Sequence, residues 1–173
     1  MKMKTKNLIS LALYSLMHRQ PYDEISVKDI CDKAGVSRMS FYRYYNKKDD
    51  IFVDYCDERF EEFYERIKVT PNLSLKLFTL EMFKYIKKYY RQIKVLVDAK
   101  KEFLLLDQLN SYARYIISNL GSNLLKEQKN NPVFAFFMSG GLFNVIMYWI
   151  NTEMRTTPEQ MNDMLYQISN FKL

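Results

Sequence analysis

Histidine is nearly missing from this chain: His18 is the only one in 173 residues. Without a second imidazole or a paired, convergent set of titratable groups, metal binding and acid–base catalysis have little to work with. No metal, no cofactor and no enzymatic activity are expected, and His18 reads as a helix-end residue. Cysteine is scarce as well. Cys31 and Cys56 make neither a CxxC nor a metal-spaced pair, which fits a reduced, cytoplasmic setting. Four glycines and four prolines leave little room for linkers or sheet turns. Strand-type alternation is absent throughout, so the chain is expected to be all-α. No secretory signal is visible, because Ser10 and Ser15 interrupt Leu8–Met17 and His18-Arg19 replaces a small-residue cleavage site.

Charge is absent from one long stretch, Asn130 to Thr152. Its length suits a membrane span. Pro132, Ser139, Asn144, Asn151 and a central Gly140-Gly141 argue instead for a helix buried in a bundle or dimer, with no membrane partner. Elsewhere the composition is that of a soluble globular protein, 48% apolar and 27% charged, with 16% aromatics and ten methionines. The net charge of +6 is front-loaded: residues 1–50 hold ten Lys or Arg against six Asp or Glu. A basic front suits a phosphate-binding surface, although a modest excess also serves solubility alone.

The organising stretch runs from Ser26 to Lys48. Ser26 is a good N-cap, and Asp29 puts negative charge in the first turn, where the helix dipole favours it. Val27, Ile30, Cys31 and Ala34 form a short apolar face. Gly35 can adopt the left-handed conformation that ends a helix and turns the chain. Val36 makes a buried corner, and Ser37 caps a second short helix that carries Phe41 and Tyr45 inward. Ser37, Arg38, Ser40, Tyr42 and Arg43 are left outside, with no acid between Lys33 and Asp49. Two short helices about a glycine turn form a helix-turn-helix, whose second helix enters the DNA major groove. Arginine reaches guanine bidentately, serine bonds several base edges, and a tyrosine hydroxyl reaches a phosphate.

At these residues the chain resembles the DNA-binding domain of the TetR family of transcriptional regulators. The similarity rests on Ser26, Ala34-Gly35-Val36-Ser37, Phe41-Tyr42-Arg43-Tyr44-Tyr45 and Lys48-Asp49-Asp50-Ile51. Cys31 and Tyr44 depart mildly, standing where alanine and histidine are usual. The resemblance implies DNA contacts from Ser26, Lys28, Ser37, Arg38, Met39, Ser40, Tyr42, Arg43 and Tyr44, with Lys48 on a backbone phosphate. It implies an N-terminal three-helix domain, residues 1–48, and a C-terminal helical bundle, residues 49–173, about nine helices in all. Members dimerise through their last two helices, which implies a homodimer on near-palindromic double-stranded DNA. The implied function is a repressor released by a small-molecule effector. The alternative is a TetR-like co-activator or interaction protein controlled by a protein partner, since a chain this short makes a lean bundle.

Periodicity predicts helices over 2–19, 49–69, 75–90, 91–106, 108–128, 132–150 and 158–171 besides the central pair. Aromatic and methionine content allows a small apolar or aromatic effector, with Phe78, Met82, Phe103, Tyr112, Ile116, Phe137 and Tyr148 as candidate pocket residues. Plain core packing explains most of them equally well. The candidate dimer residues are Phe136, Gly140, Phe143, Met147, Met161, Met164, Leu165 and Ile168, on the last two helices.

Overall fold

The computed structural model describes residues 2–124 and 131–169, without the side chains of residues 2, 3, 121–124, 132, 168 and 169. The described residues form nine α-helices and one short 3₁₀ turn, with no strand among them. The chain opens with α1 (Lys2–Met17), the 3₁₀ turn (Tyr22–Glu24), α2 (Val27–Ala34) and α3 (Arg38–Tyr42). Then come α4 (Asp49–Lys68), α5 (Leu75–Lys88), α6 (Tyr90–Asp98), α7 (Glu102–Leu124), α8 (Pro132–Asn151) and α9 (Pro158–Ser169). The expected ends at 128 and 171 lie outside the described residues.

One boundary differs from the sequence pattern. The predicted helix over 91–106 is cut at Ala99–Lys101, and α7 runs unbroken through the expected break near Asp107. No glycine or proline marks the real break. Lys100 takes a left-handed conformation, φ 53°, and the Lys101 amide donates to the Leu96 carbonyl at 2.9 Å. A lysine in that region is unusual, and the helical pattern on either side hides it.

Two cores organise the molecule. The first gathers Ile9 and Leu13 of α1, Ile30 and Cys31 of α2, Phe41 of α3, Tyr45, and Ile51 and Phe52 of α4. Leu96 of α6 and Leu104 of α7 are buried in the same cluster, so the α6–α7 turn plugs the front unit. Val36 packs at its edge, half-buried rather than fully enclosed. The second core joins Phe63 and Ile67 of α4, Phe78, Met82 and Phe83 of α5, Ile146, Trp149 and Ile150 of α8, and Met161 of α9. Among the described residues, only α4 places buried side chains in both.

Polar contacts fix the helices around α4. Tyr85 donates to the Arg59 carbonyl at 2.8 Å, and Tyr89 to Glu62 at 2.9 Å. Tyr112 of α7 donates to Asp57 at 2.7 Å and stacks on Phe60, with ring centres 4.0 Å apart. The buried Thr79–Asn162 hydrogen bond ties α9 to α5.

α8 has two apolar faces, as its unbroken hydrophobicity predicts. Ala135, Ser139, Leu142, Ile146 and Trp149 turn toward the protein interior at three- and four-residue spacing. Val133, Phe137, Gly141, Asn144 and Tyr148 lie on the other side, with Val133 72%, Phe137 75% and Tyr148 59% exposed. Val133–Asn151 is the one helix among the described residues long and apolar enough to cross a membrane, at mean hydropathy 1.7, and 28% of the span is buried. The full burial expected for it does not occur within a single chain.

Candidate nucleic-acid interface

The central pair forms by local chemistry. Ser26 and Asp29 make a reciprocal capping box: the Asp29 amide donates to Ser26 Oγ at 3.1 Å, and the Ser26 amide to Asp29 Oδ2 at 2.9 Å. Hydrogen bonds from Ser26 hold the Asp29 carboxyl below its ordinary range. The box is therefore complete at neutral pH and weakens as acid protonates Asp29. Gly35 ends α2 at φ 66°, ψ 35°, and the Val36 amide donates to the Cys31 carbonyl at 3.0 Å. A Cβ on Gly35 would meet nothing within 4 Å. Space is therefore not the constraint; the backbone angle is. Gly35→Ala is expected to cost about 1–2 kcal/mol. Gly35→Asn, which tolerates this region, is expected to lose less. Urea denaturation of the two variants checks the order.

Ser37 caps α3 by accepting from the Ser40 amide at 3.1 Å, and the two hydroxyls lie 3.0 Å apart. The back of α3 is locked. Phe41 is fully buried, with edge contacts to Tyr42 and Tyr45. Tyr45 donates to Asp54 of α4 at 2.8 Å, and burial pushes its hydroxyl pKa far up. Lys6 of α1 pairs with the same carboxylate, so α1, α4 and the turn that follows α3 meet at Asp54.

The front of α3 is open. Ser37, Arg38, Tyr42 and Arg43 are exposed, and Met39 is the most exposed of the large apolar side chains among the described residues, at 84%. Ser40 is half-buried. Tyr44 is also half-buried, beside Tyr45, with the Arg43 guanidinium 5.2 Å from its ring centre. Lys28 is exposed on α2, as is Ser26, although its hydroxyl is engaged in the cap.

Lys48 sits differently from an outward phosphate contact. Its ammonium donates to the carbonyls of Tyr22 at 2.6 Å and Ile25 at 2.7 Å, with Asp23 at 3.4 Å. It also lies 4.2 Å from the centre of the Tyr22 ring. Burial lowers its pKa, against the pull of Asp23 and Asp49. Lys48 thus braces the corner from inside, and Lys47 is the outward lysine of the break, with its side chain 68% exposed. Sequence reasoning missed a matching brace, Lys101, which pairs with Asp23 at 3.1 Å and lies 5.2 Å from the centre of the Tyr22 ring. No local pattern announces it, because it arrives from the unpredicted α6–α7 turn.

The candidate effector residues do not gather around one hollow. Phe78 and Met82 belong to the second core. Phe103, Phe137 and Tyr148 are exposed, which corrects their assignment as enclosed pocket residues. In α7 the inward position beside Phe103 belongs to Leu104, and in α8 Phe137 faces away from the buried stripe. Tyr112 is taken up by Asp57 and Phe60, and Ile116 packs at the edge of the second core. Only Tyr148 lines a described hollow, an open one of about 400 Å³.

The dimer candidates divide as well. Phe136 and Met164 are exposed, while Gly140, Phe143, Met147 and Leu165 are half-buried. Met161 is 2% exposed against the second core, which removes it from any intermolecular face. The Ile168 side chain lies outside those described.

A basic, acid-free helix held proud of a three-helix unit, carried on an all-helical bundle, defines a helix-turn-helix transcription regulator rather than an enzyme. Residues 11–55 match the bacterial regulatory proteins of the tetR family, and residues 74–171 match a transcriptional regulator C-terminal region of that family. The chain belongs to the TetR family of transcriptional regulators. Its structure is similar to a TetR transcriptional regulator from Streptococcus agalactiae, at 18% identity and TM-score 0.65, covering 96% of this chain and 94% of that one. It is also similar to the dihydroxyacetone kinase operon activator DhaS, at 16% identity and TM-score 0.60, covering 95% of this chain and 93% of that one. Among curated proteins, none matches the chain in sequence.

Proposed function

We propose that the protein is a cytoplasmic, homodimeric repressor that reads a near-palindromic operator with the exposed face of α3. The observation that carries this reading is the contrast across α3: Phe41 is fixed in the core, while Arg38, Met39, Tyr42 and Arg43 project from a surface free of acids between Lys33 and Asp49. Lys28 and Lys47 are placed for backbone phosphates, and Lys48 holds the corner that aims the helix. Residues 1–48 serve as the reading unit, and residues 49–173 dimerise and respond to an effector. The uncovered face of α8 and the exposed Met164 of α9 suit a second copy of the chain. Paired α3 helices would then meet successive major grooves about 34–36 Å apart, or a multiple of that.

Selection of bound duplex from a random pool tests this directly. Wild type is expected to recover a near-palindromic site, with affinity that falls steeply as salt rises. Arg38→Ala and Tyr42→Ala are each expected to weaken the selected site, by about 1–3 kcal/mol where a base contact is lost. Equal recovery of the same site by both variants would move the reading surface elsewhere.

A second reading is a TetR-like activator or interaction protein governed by a protein partner. It is favoured by the scatter of the seven bundle residues, which line no common cavity, and by the likeness to an operon activator.

A further inference from the structure

The larger of the two hollows described is not inside the bundle. It is an open groove of about 890 Å³, with α1 and α4 on one wall and α6 on the other. Small-molecule sites span roughly 300–1,000 Å³. We propose that this groove binds a planar aromatic carboxylate, which packs between Tyr14 and Tyr55 on one wall and Val95 on the other and sets its carboxylate on Arg91. The proposal rests on the reading of the protein as an effector-controlled DNA-binding regulator, and it names where and what the effector is.

Charge decides the sign of the ligand. Lys6 is neutralised by Asp54 across the α1–α4 wall, and Lys94 by Asp98 along α6. Glu58, the remaining acid of the lining, stands 3.7 Å from Arg59, whose other terminal nitrogen binds Glu62 at 2.8 Å. Arg91 is exposed and has no ion pair among the described residues. Of the three lining cations, the one without an acid is therefore a guanidinium, whose planar fork takes a carboxylate by two parallel hydrogen bonds.

The walls decide its shape. Leu11 stands 66% exposed on the groove, a large apolar side chain left in water beside Tyr14 and Tyr55. Those two rings meet edge to face with centres 5.8 Å apart. The Tyr14 hydroxyl is buried with no hydrogen-bond partner among the described residues. A flat apolar body would cover Leu11 and lie against these rings, leaving that hydroxyl in the interior.

Position gives the groove its consequence. One wall belongs to helices that carry the reading unit, and the other to α6, whose Leu96 is buried in the same front core. A ligand touching both walls has different contacts when α4 and α6 move apart, which is the condition for shifting one state against another.

Titration calorimetry of the full chain, without DNA, tests the site with 4-hydroxybenzoate, indole-3-acetate and 2-naphthoate. Benzylamine is the charge-reversed control. At least one acid is expected to bind with Kd below about 1 mM, and benzylamine to give no heat. Arg91→Ala and Leu11→Trp alter exposed positions and should leave the circular dichroism spectrum intact. Each is expected to weaken the bound acid tenfold or more. No binding of any of the three acids, equal binding of the amine, or wild-type affinity in Leu11→Trp would overturn the site. Duplex binding without acid binding would remove the groove and leave the regulator standing. Acid binding without duplex binding would do the reverse.

Discussion

Phe137→Glu is expected to convert the protein to a monomer and to reduce operator affinity about a thousandfold, to the level of non-specific binding. Phe137 is 75% exposed in one chain, at the centre of a stripe with Val133 and Tyr148. In the proposed dimer that stripe faces its own copy, so each substitution puts two carboxylates into one apolar interface. An unpaired buried charge is among the costliest changes an interface can carry. Because stable interfaces bury about 1,200–2,000 Å² in total, a single charge at the rim would be absorbed, and the central position is the informative one. Sedimentation measures the mass and fluorescence anisotropy the affinity. A variant that remains dimeric would show that the copies meet elsewhere. A variant that is monomeric yet holds the operator with full affinity would show that one reading unit suffices.

Phe41→Ala is expected to destabilise the front unit by about 3–5 kcal/mol, the usual cost of emptying a buried aromatic site. Phe41 is fully buried, touches Tyr42 and Tyr45 with ring centres 5.4 and 5.6 Å away, and is the one fully buried side chain within α3. A five-residue helix has too few internal hydrogen bonds to persist without such an anchor. DNA binding should therefore vanish even though no proposed contact residue has changed. The urea midpoint measures the loss. Met39→Ala is the control: it removes an equally apolar but exposed side chain from the same helix, and its midpoint is expected to stay close to wild type.

The two experiments probe parts of the molecule that differed in how far they could be read beforehand. The α2–turn–α3 unit was legible because its determinants are local. Ser26, Gly35 and Ser37 each act within three residues, and all three were observed in the capping or left-handed conformations expected of them. The division between α6 and α7 was not legible, because Ala99–Lys101 is held by tertiary packing of Leu96 and Leu104 rather than by a turn residue. Helical periodicity also left the bundle aromatics unresolved. It tells that α8 is apolar on every side, but not which side the chain covers, so it offers Phe137 and Tyr148 as interior residues; on α9 the same pattern offers Met161 for the dimer face. The burial of each is the opposite. Lys48 fitted its motif in identity while its ammonium found carbonyls within its own fold.

Leu96 and Leu104 bear on any attempt to transplant the DNA-reading head. A fragment ending near residue 55 would leave behind two leucines that complete its interior, together with the Lys101–Asp23 pair that clasps its corner. Such a fragment should be sticky and poorly ordered. Hybrids that exchange heads between relatives should work best when the α6–α7 elbow travels with the head as matched cargo.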